Sequence, residues 1–238
     1  MEIDKLLYLK RLPENACYEG DYKKGEIELV GSDKLIEKII EGRRRKLKKI
    51  KLPDTSKEIG IVFEDEYILI VRDPVIFPSG SLGTYLRIFE RPALDGPVGV
   101  VILPVCGDLI YLRRIFRHAT RQWEIECARG YREKGLTPHQ AVIQEINEEI
   151  GLPIKEIRKI GNICVNSGIL AGEVLIYWVE LYPGNVKPNQ EDTEAFGDFI
   201  IVKSGLLFEM IRSGVIRDSF TLSALQQAQA NNLLYLAN

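Results

Sequence analysis

Three carboxylates with the spacing of a metal site sit late in the chain. Glu145, Glu148 and Glu149 fall in a segment whose ends are punctuated as a helix. Thr137 stands at the N-cap, Pro138 at the first helical position and Gln140 three residues after the cap, while Gly151, Leu152 and Pro153 form the stop. At about 100° per residue, Val142, Ile146, Ile150 and Ile143 form one apolar stripe, and the three glutamates share a neighbouring arc of roughly 240° to 340°. No lysine or arginine lies within Pro138–Ile150, so like-charge repulsion of about 0.2–0.5 kcal/mol per pair goes unanswered inside the helix. A hard divalent cation, Mg²⁺ or Mn²⁺, would remove it, since such ions take carboxylate oxygens and often substrate phosphates as well. A solvated acidic face is the other reading that these residues allow.

The surroundings of that helix carry a resemblance. Gly130-x5-Leu136-x7-Gln144-Glu145-Ile146-x-Glu148-Glu149-x-Gly151-Leu152 resembles the Nudix box, Gly-x5-Glu-x7-Arg-Glu-U-x-Glu-Glu-x-Gly-U, with U a bulky aliphatic residue. It departs at Leu136, where the family has Glu, and at Gln144, where it has Arg. Those two family side chains usually interact with each other, so their joint loss reads as a replaced structural contact. Three flanking segments look most like the ADP-ribose pyrophosphatase branch: Leu112-Arg-Arg-Ile-Phe-Arg117, Trp123-Glu-Ile-Glu-Cys-Ala-Arg-Gly130, and Gly214-Val-Ile-Arg-Asp-Ser-Phe-Thr-Leu-Ser-Ala-Leu225. The resemblance spans residues 60 to 228, leaving the first 57 without an account.

The resemblance implies that Glu145 and Glu149 hold Mg²⁺ (or Mn²⁺), with Glu148 completing the cluster and the backbone carbonyl of Arg129 as a further ligand. It implies Arg87, Arg117 and Arg129 as substrate-binding residues, and a base from an acidic late loop, Glu194 first and Glu191 next. The implied reaction is Mg²⁺-dependent hydrolysis of the diphosphate bond of ADP-ribose or a related nucleoside diphosphate sugar, giving a nucleoside monophosphate and a sugar phosphate. The departures at Leu136 and Gln144 keep open a weak or inactive nucleotide-binding or RNA-associated module. Branch members are commonly homodimers, which places Ile59 to Glu90 at a dimer interface. His118 and His139 read as polar surface residues. Glu149→Gln is expected to leave the fold intact, as an exposed carboxylate contributes little to stability.

The elements that must position these groups are strands followed by helices. Segments at Gly60, Tyr67, Thr84, Val98 and Leu109 read as strands separated by turn residues, and further strands are expected at Ile160 to Val165, Glu173 to Leu181 and Asp198 to Val202. Helices are expected over Ser32 to Ile40, ended by Gly42, then Ser204 to Ser213 and Ser219 to Leu236. This order gives a mixed α/β (α+β) fold with helices packed on a sheet, and the resemblance implies a Nudix-type α/β/α sandwich with a mixed sheet. The expected divisions are an N-terminal extension over 1–57, an antiparallel β region over 58–96 and a catalytic domain over 97–238.

Composition agrees with a globular chain: of 238 residues, 45% are hydrophobic and 28% charged. Lys+Arg 32 against Asp+Glu 34 gives a net charge of -2, so no global field recruits nucleic acid or an anionic membrane. Residues 1–57 hold 15 basic and 11 acidic residues, net +4, which leaves 17 basic and 23 acidic, net -6, for the remainder. Arg43 to Lys51 holds seven of the basic residues and reads as a solvated face or an arm neutralising an acidic partner subunit, with a phosphate or RNA contact as the other reading. Without an apolar membrane span or a signal-peptide pattern, a cytoplasmic protein is expected, with Cys17, Cys106, Cys127 and Cys164 as reduced thiols.

Overall fold

A computed structural model describes residues 6–52, 59–188 and 196–234. The chain forms two compact units: residues 1–96 with 166–172, and residues 97–165 with 173–238.

In the first unit, β1 (Glu28–Leu29) is followed by α1 (Asp33–Lys49), β2 (Gly60–Glu64), β3 (Ile68–Ile76) and β4 (Leu82–Glu90). The long strand β3 organises the sheet: β4 pairs along its whole length, while β2 and β1 pair antiparallel with its earlier and later parts. Residues 6–49 therefore belong to a packed unit and are not an appendage. Short 3-10 turns at Leu7–Arg11 and Glu14–Cys17 lay Leu6, Leu9, Leu12 and Ala16 on a core of Tyr8, Leu69, Val71 and Phe89. Helix α1 seats Ile36 and Ile39 with Val30 in a second cluster.

The expected stop at Gly42 is not observed, because α1 runs through it to Lys49. A glycine inside a helix costs about 1 kcal/mol against alanine, and burial of Leu47 one turn further on offsets that. The basic run is thus the last two turns of a helix, where cations face the negative end of its dipole.

At the centre of this unit lies a polar network. Asp73, 1% exposed, accepts hydrogen bonds from Tyr8 Oη at 2.5 Å, Arg87 Nε at 2.6 Å and Arg87 Nη2 at 3.0 Å. Arg87 Nη1 donates to the Ala16 carbonyl at 2.8 Å. One carboxylate on β3 and one guanidinium on β4 thereby tie the N-terminal turns to the sheet. Burial, with Asp73 alongside, pushes the Tyr8 phenol well above its ordinary 10.

In the second unit, β5 (Gly99–Cys106), β6 (Leu109–Arg117), β7 (Gln122–Glu126) and β8 (Ala128–Tyr131) lead into α2 (Pro138–Glu149). Then follow β9 (Ile154–Ile163), β10 (Val174–Leu181), β11 (Phe196–Lys203), α3 (Ser204–Arg212) and α4 (Ser219–Ala230). The sheet is mixed: the strand path is β11-β6-β5-β10-β9, with β7 on β6 and β8 on β5, and β5 pairs parallel with β10 while the other pairs are antiparallel.

Strand β5 is buried on both faces, as a strand covered by helices on two sides must be. Val100 and Ile102 join the α2 cluster with Tyr111, Leu175, Tyr177 and Val179, and α4 packs against β5, β9 and β10. The ends of two elements differ from expectation. Strand β9 begins at Ile154, because its pairing with β10 extends to Leu181. Helix α4 stops at Ala230, where Asn231 caps it and Asn232 takes a left-handed φ of 57°. All four cysteines are free.

Arg87→Met should lower stability by about 3–5 kcal/mol, because it leaves Asp73 buried without its cation. Tyr8→Phe should cost about 1–3 kcal/mol. Since the Tyr8 pKa is raised on folding, its contribution is present below about pH 10 and lost as pH climbs past that value. Urea denaturation at pH 8 and pH 10.5 checks both points: Tyr8→Phe should lose less stability than wild type between the two pH values.

Candidate active site

Helix α2 is fixed at both ends by its own sequence. Thr137 Oγ1 accepts from the Gln140 amide at 3.3 Å and Gln140 Oε1 accepts from the Thr137 amide at 2.9 Å, closing the capping box. Gly151, at φ 70°, makes the turn away, and a Cβ there would overlap the Lys187 carbonyl.

The buried arc of α2 is not the stripe that hydrophobicity alone indicates. Ile143 is 37% exposed, whereas Ala141, Val142, Ile146, Ile150 and Glu149 are buried. On the helical wheel that arc is centred near Val142 and runs about 90° to either side, so Glu145 and Glu149 both lie inside it. The carboxylates expected beside the core point into it.

Glu149 is 7% exposed, and its Oε1 lies 2.5 Å from Nη1 of Arg113, itself 5% exposed on β6. The expectation that Glu149 is an exposed, energetically neutral carboxylate is therefore corrected. Glu145 meets a different neighbour. A Cβ on Gly130 would overlap the Glu145 carboxylate, so the glycine after Arg129 leaves the space that this side chain fills. Glu148 Oε1 accepts from Gln144 Nε2 at 3.0 Å, and the same amide nitrogen donates to Glu133 Oε1 at 2.9 Å. Gln144 thus bridges Glu148 and Glu133, which lies three residues before Leu136.

Arg117 and Arg129 converge on a carboxylate that the sequence reading passed over. Glu126, 2% exposed, accepts from Arg117 Nε at 3.0 Å and Nη2 at 2.5 Å, and pairs with Arg129 Nη2 at 2.8 Å. Arg129 also reaches Asp218 at 3.6 Å and lies 4.5 Å over the Phe220 ring. Asp218 in turn caps α4 through the Thr221 amide at 2.8 Å.

Arg113, Arg117, Arg129, Glu126 and Glu149 line one narrow cleft with Ile115 and Cys127. Arg113 was legible in principle: period-2 alternation along β6 puts it on one face with Tyr111, Ile115 and Arg117. Glu126 and Asp218 have no such signal in the sequence. Arg87 belongs to the first unit, where its guanidinium is held by Asp73 and Ala16. Glu191 and Glu194 lie outside the described residues. His118, whose Nδ1 is 2.8 Å from Arg121 Nη1, and His139 are both exposed.

The carboxylate types suit a hard divalent cation: Glu145 and Glu149 stand one helical turn apart on α2, and Gly130 leaves the space that Glu145 fills. Among the described residues, no three histidine, cysteine, aspartate or glutamate side chains are already gathered at metal-ligand spacing. The reason is visible in the partners, Arg113 for Glu149 and Gln144 for Glu148.

No protein-family model matches the chain. It is 23% identical over 175 residues to an ADP-ribose pyrophosphatase of Bacillus subtilis (strain 168), covering 73% of this chain and 91% of that protein. It is also 20% identical over 107 residues to the ADP compounds hydrolase NudE of Escherichia coli (strain K12), covering 44% of this chain and 58% of that one. A crystal structure of an ADP compounds hydrolase superposes with a TM-score of 0.60 at 16% identity, over 76% of this chain and 96% of its own. The mixed sheet flanked by helices is the fold shared with that hydrolase structure.

Because Glu149 is buried against Arg113, Glu149→Gln should destabilise the protein by about 2–3 kcal/mol, the loss of a charge-assisted bond. Glu148→Gln, at a half-buried position, should stay within about 0.5 kcal/mol of wild type. Thermal denaturation of the two variants side by side separates these outcomes.

Proposed function

We propose that this chain hydrolyses the diphosphate bond of ADP-ribose or a related nucleoside diphosphate sugar, giving a nucleoside monophosphate and a sugar phosphate. The observation that carries this reading is the inward placement of Glu145 and Glu149 on α2, with Glu145 against Gly130 and Glu149 in a cleft lined by Arg117 and Arg129. Mg²⁺, or Mn²⁺, would be held by Glu145 and Glu149, with Glu148 alongside and the Arg129 carbonyl as a further ligand. When bound, such an ion polarises the phosphoryl group and eases ionisation of the attacking water.

The chain's own residues do the remaining work. Arg117 and Arg129 present planar guanidinium forks to the phosphate oxygens. Glu126 holds both forks in orientation before substrate arrives, which reduces the reorganisation needed as charge builds on the leaving phosphate. Glu194, or Glu191, accepts the proton of the attacking water. The protein acts in the cytoplasm as a homodimer formed through residues 59–90, whose β2, β3 and β4 supply sheet surface for pairing.

Purified protein with Mg²⁺ and ADP-ribose should release AMP, read by ion-exchange chromatography, and a chelator should stop it. Glu149→Gln should reduce the rate by roughly a hundredfold or more. Binding of ADP-ribose and of a panel of sugar nucleotides without turnover by the wild-type protein would overturn the reading in favour of a silent nucleotide-binding module. Light scattering should give the mass of a dimer, and a monomer mass would remove the interface at 59–90.

A further inference from the structure

The net charge of -2 is an average over the chain, and helix α1 departs from it. Asp33–Lys49 holds eight basic residues against Asp33, Glu37 and Glu41, net +5. At about 100° per residue, Lys34, Lys38, Arg45, Lys46 and Lys49 fall on one arc of roughly 120° that contains no acidic residue. The three acids lie on the adjoining arc with Arg44 and Lys48. Ile36, Ile39 and Leu47 are buried on another side of the helix, and all five cations of the first arc are exposed. From Lys34 to Lys49 the stripe is about 22 Å long, fifteen residues of helical rise.

A merely solvated helix face mixes its signs, so that neighbours one turn apart pair. Here the signs are segregated. The ion pairs described in this unit lie elsewhere, at Arg11–Glu64, Lys24–Asp21, Arg87–Asp73 and Arg91–Glu64, so among the described residues no carboxylate holds a cation of the stripe. Just past its end, Ile50 and Leu52 are 53% and 55% exposed, and Lys51 between them turns the chain at φ 57°.

We propose that this face of α1 is a docking surface for an anionic bilayer, on which the five cations meet lipid phosphates while Ile50 and Leu52 enter the headgroup zone. The attachment is peripheral, since among the described residues no helix is long and apolar enough to cross a membrane. It is independent of the hydrolase reading. Nucleic acid, the other extended polyanion, fits less well. No aromatic residue lies within Ser32–Leu52 to stack on a base, and exposed aliphatic side chains gain nothing from a phosphate backbone. Four of the five cations are lysines, compact charges that suit a diffuse layer of headgroups more than the forked geometry of a single bound phosphate.

Co-sedimentation of the full chain with vesicles tests this. Phosphatidylcholine vesicles with roughly one third phosphatidylglycerol should retain the protein, pure phosphatidylcholine should not, and raising salt from about 0.05 M to 0.5 M should weaken retention about tenfold or more. Lys48→Gln and Lys49→Gln make the same change in net charge on different arcs. Lys49→Gln should weaken binding to the anionic vesicles about fivefold and Lys48→Gln less than about twofold. Ile50→Ser combined with Leu52→Ser should weaken it about tenfold, with circular dichroism unchanged. Equal retention by anionic and neutral vesicles overturns the proposal. So does an equal loss in Lys48→Gln and Lys49→Gln, which assigns the binding to net charge alone. Tighter binding to poly(U) RNA than to the anionic vesicles, insensitive to the Ile50→Ser and Leu52→Ser pair, makes this face a nucleic-acid contact and overturns it as well.

Discussion

The ion pair between Arg113 and Glu149 is the contact on which the site depends. Taking a carboxylate and a guanidinium out of water costs several kcal/mol per ion, which contact between them repays only when the geometry is good. At 2.5 Å, with both side chains nearly sealed, the pair is tolerable only because β6 and α2 hold its ends in register. Strand β6 has neighbours on both edges, β11 and β5, with β7 pairing along its later part. Helix α2 is anchored by the hydrophobic contacts of Val142, Ile146 and Ile150. The mixed sheet therefore does more than fill a core: it fixes the strand from which the compensating cation projects.

A second group of charges follows the same logic at the neighbouring strands. Glu126 is buried where β7 ends, and two arginines, one from β6 and one from β8, answer it. Asp218 at the start of α4 adds a second carboxylate to Arg129, while the Cys127 amide donates to Thr221 inside the same helix at 2.9 Å. The cleft is thus a zone of matched charge in which arginines already carry partners.

The sequence made the chemistry legible before the architecture that serves it. The capping box, the glycine stop and the glutamate spacing are local signals, and the structure reproduces them at Thr137, Gln140 and Gly151. The burial of Glu149 was not legible, since an apolar stripe drawn through Ile143 assigns the wrong side of the helix to the core. Val142, Ile146 and Ile150 together seat that side against the sheet, and Glu149 is accommodated within it because Arg113 on β6 meets it. The run through Gly42 failed to show for a related reason. A glycine ends a helix in an isolated reading, whereas here Leu47 beyond it finds a buried place.

The same non-local dependence explains the leader that the family pattern leaves out. Residues 6–49 contain the +4 half of the charge balance, yet the contact that ties them down is a buried anion, Asp73, receiving Tyr8 from the first turn and Arg87 from β4. Tyr8 and Asp73 are 65 residues apart, so no local window contains both. Asp73 lies beyond the apolar run that starts at Tyr67, on the continuation of β3 toward Ile76. In each unit a buried carboxylate meets an arginine from a separate strand, Asp73 with Arg87 and Glu149 with Arg113. The difference lies in where each pair sits. Asp73 is enclosed by Tyr8 and the sheet at 1% exposure, so its pair ties one unit's strands and turns together. Glu149 shares a helical turn with Glu145 and lines the narrow cleft with Arg113, Arg117 and Arg129, so a contact of the same chemistry stands at the edge of the candidate site.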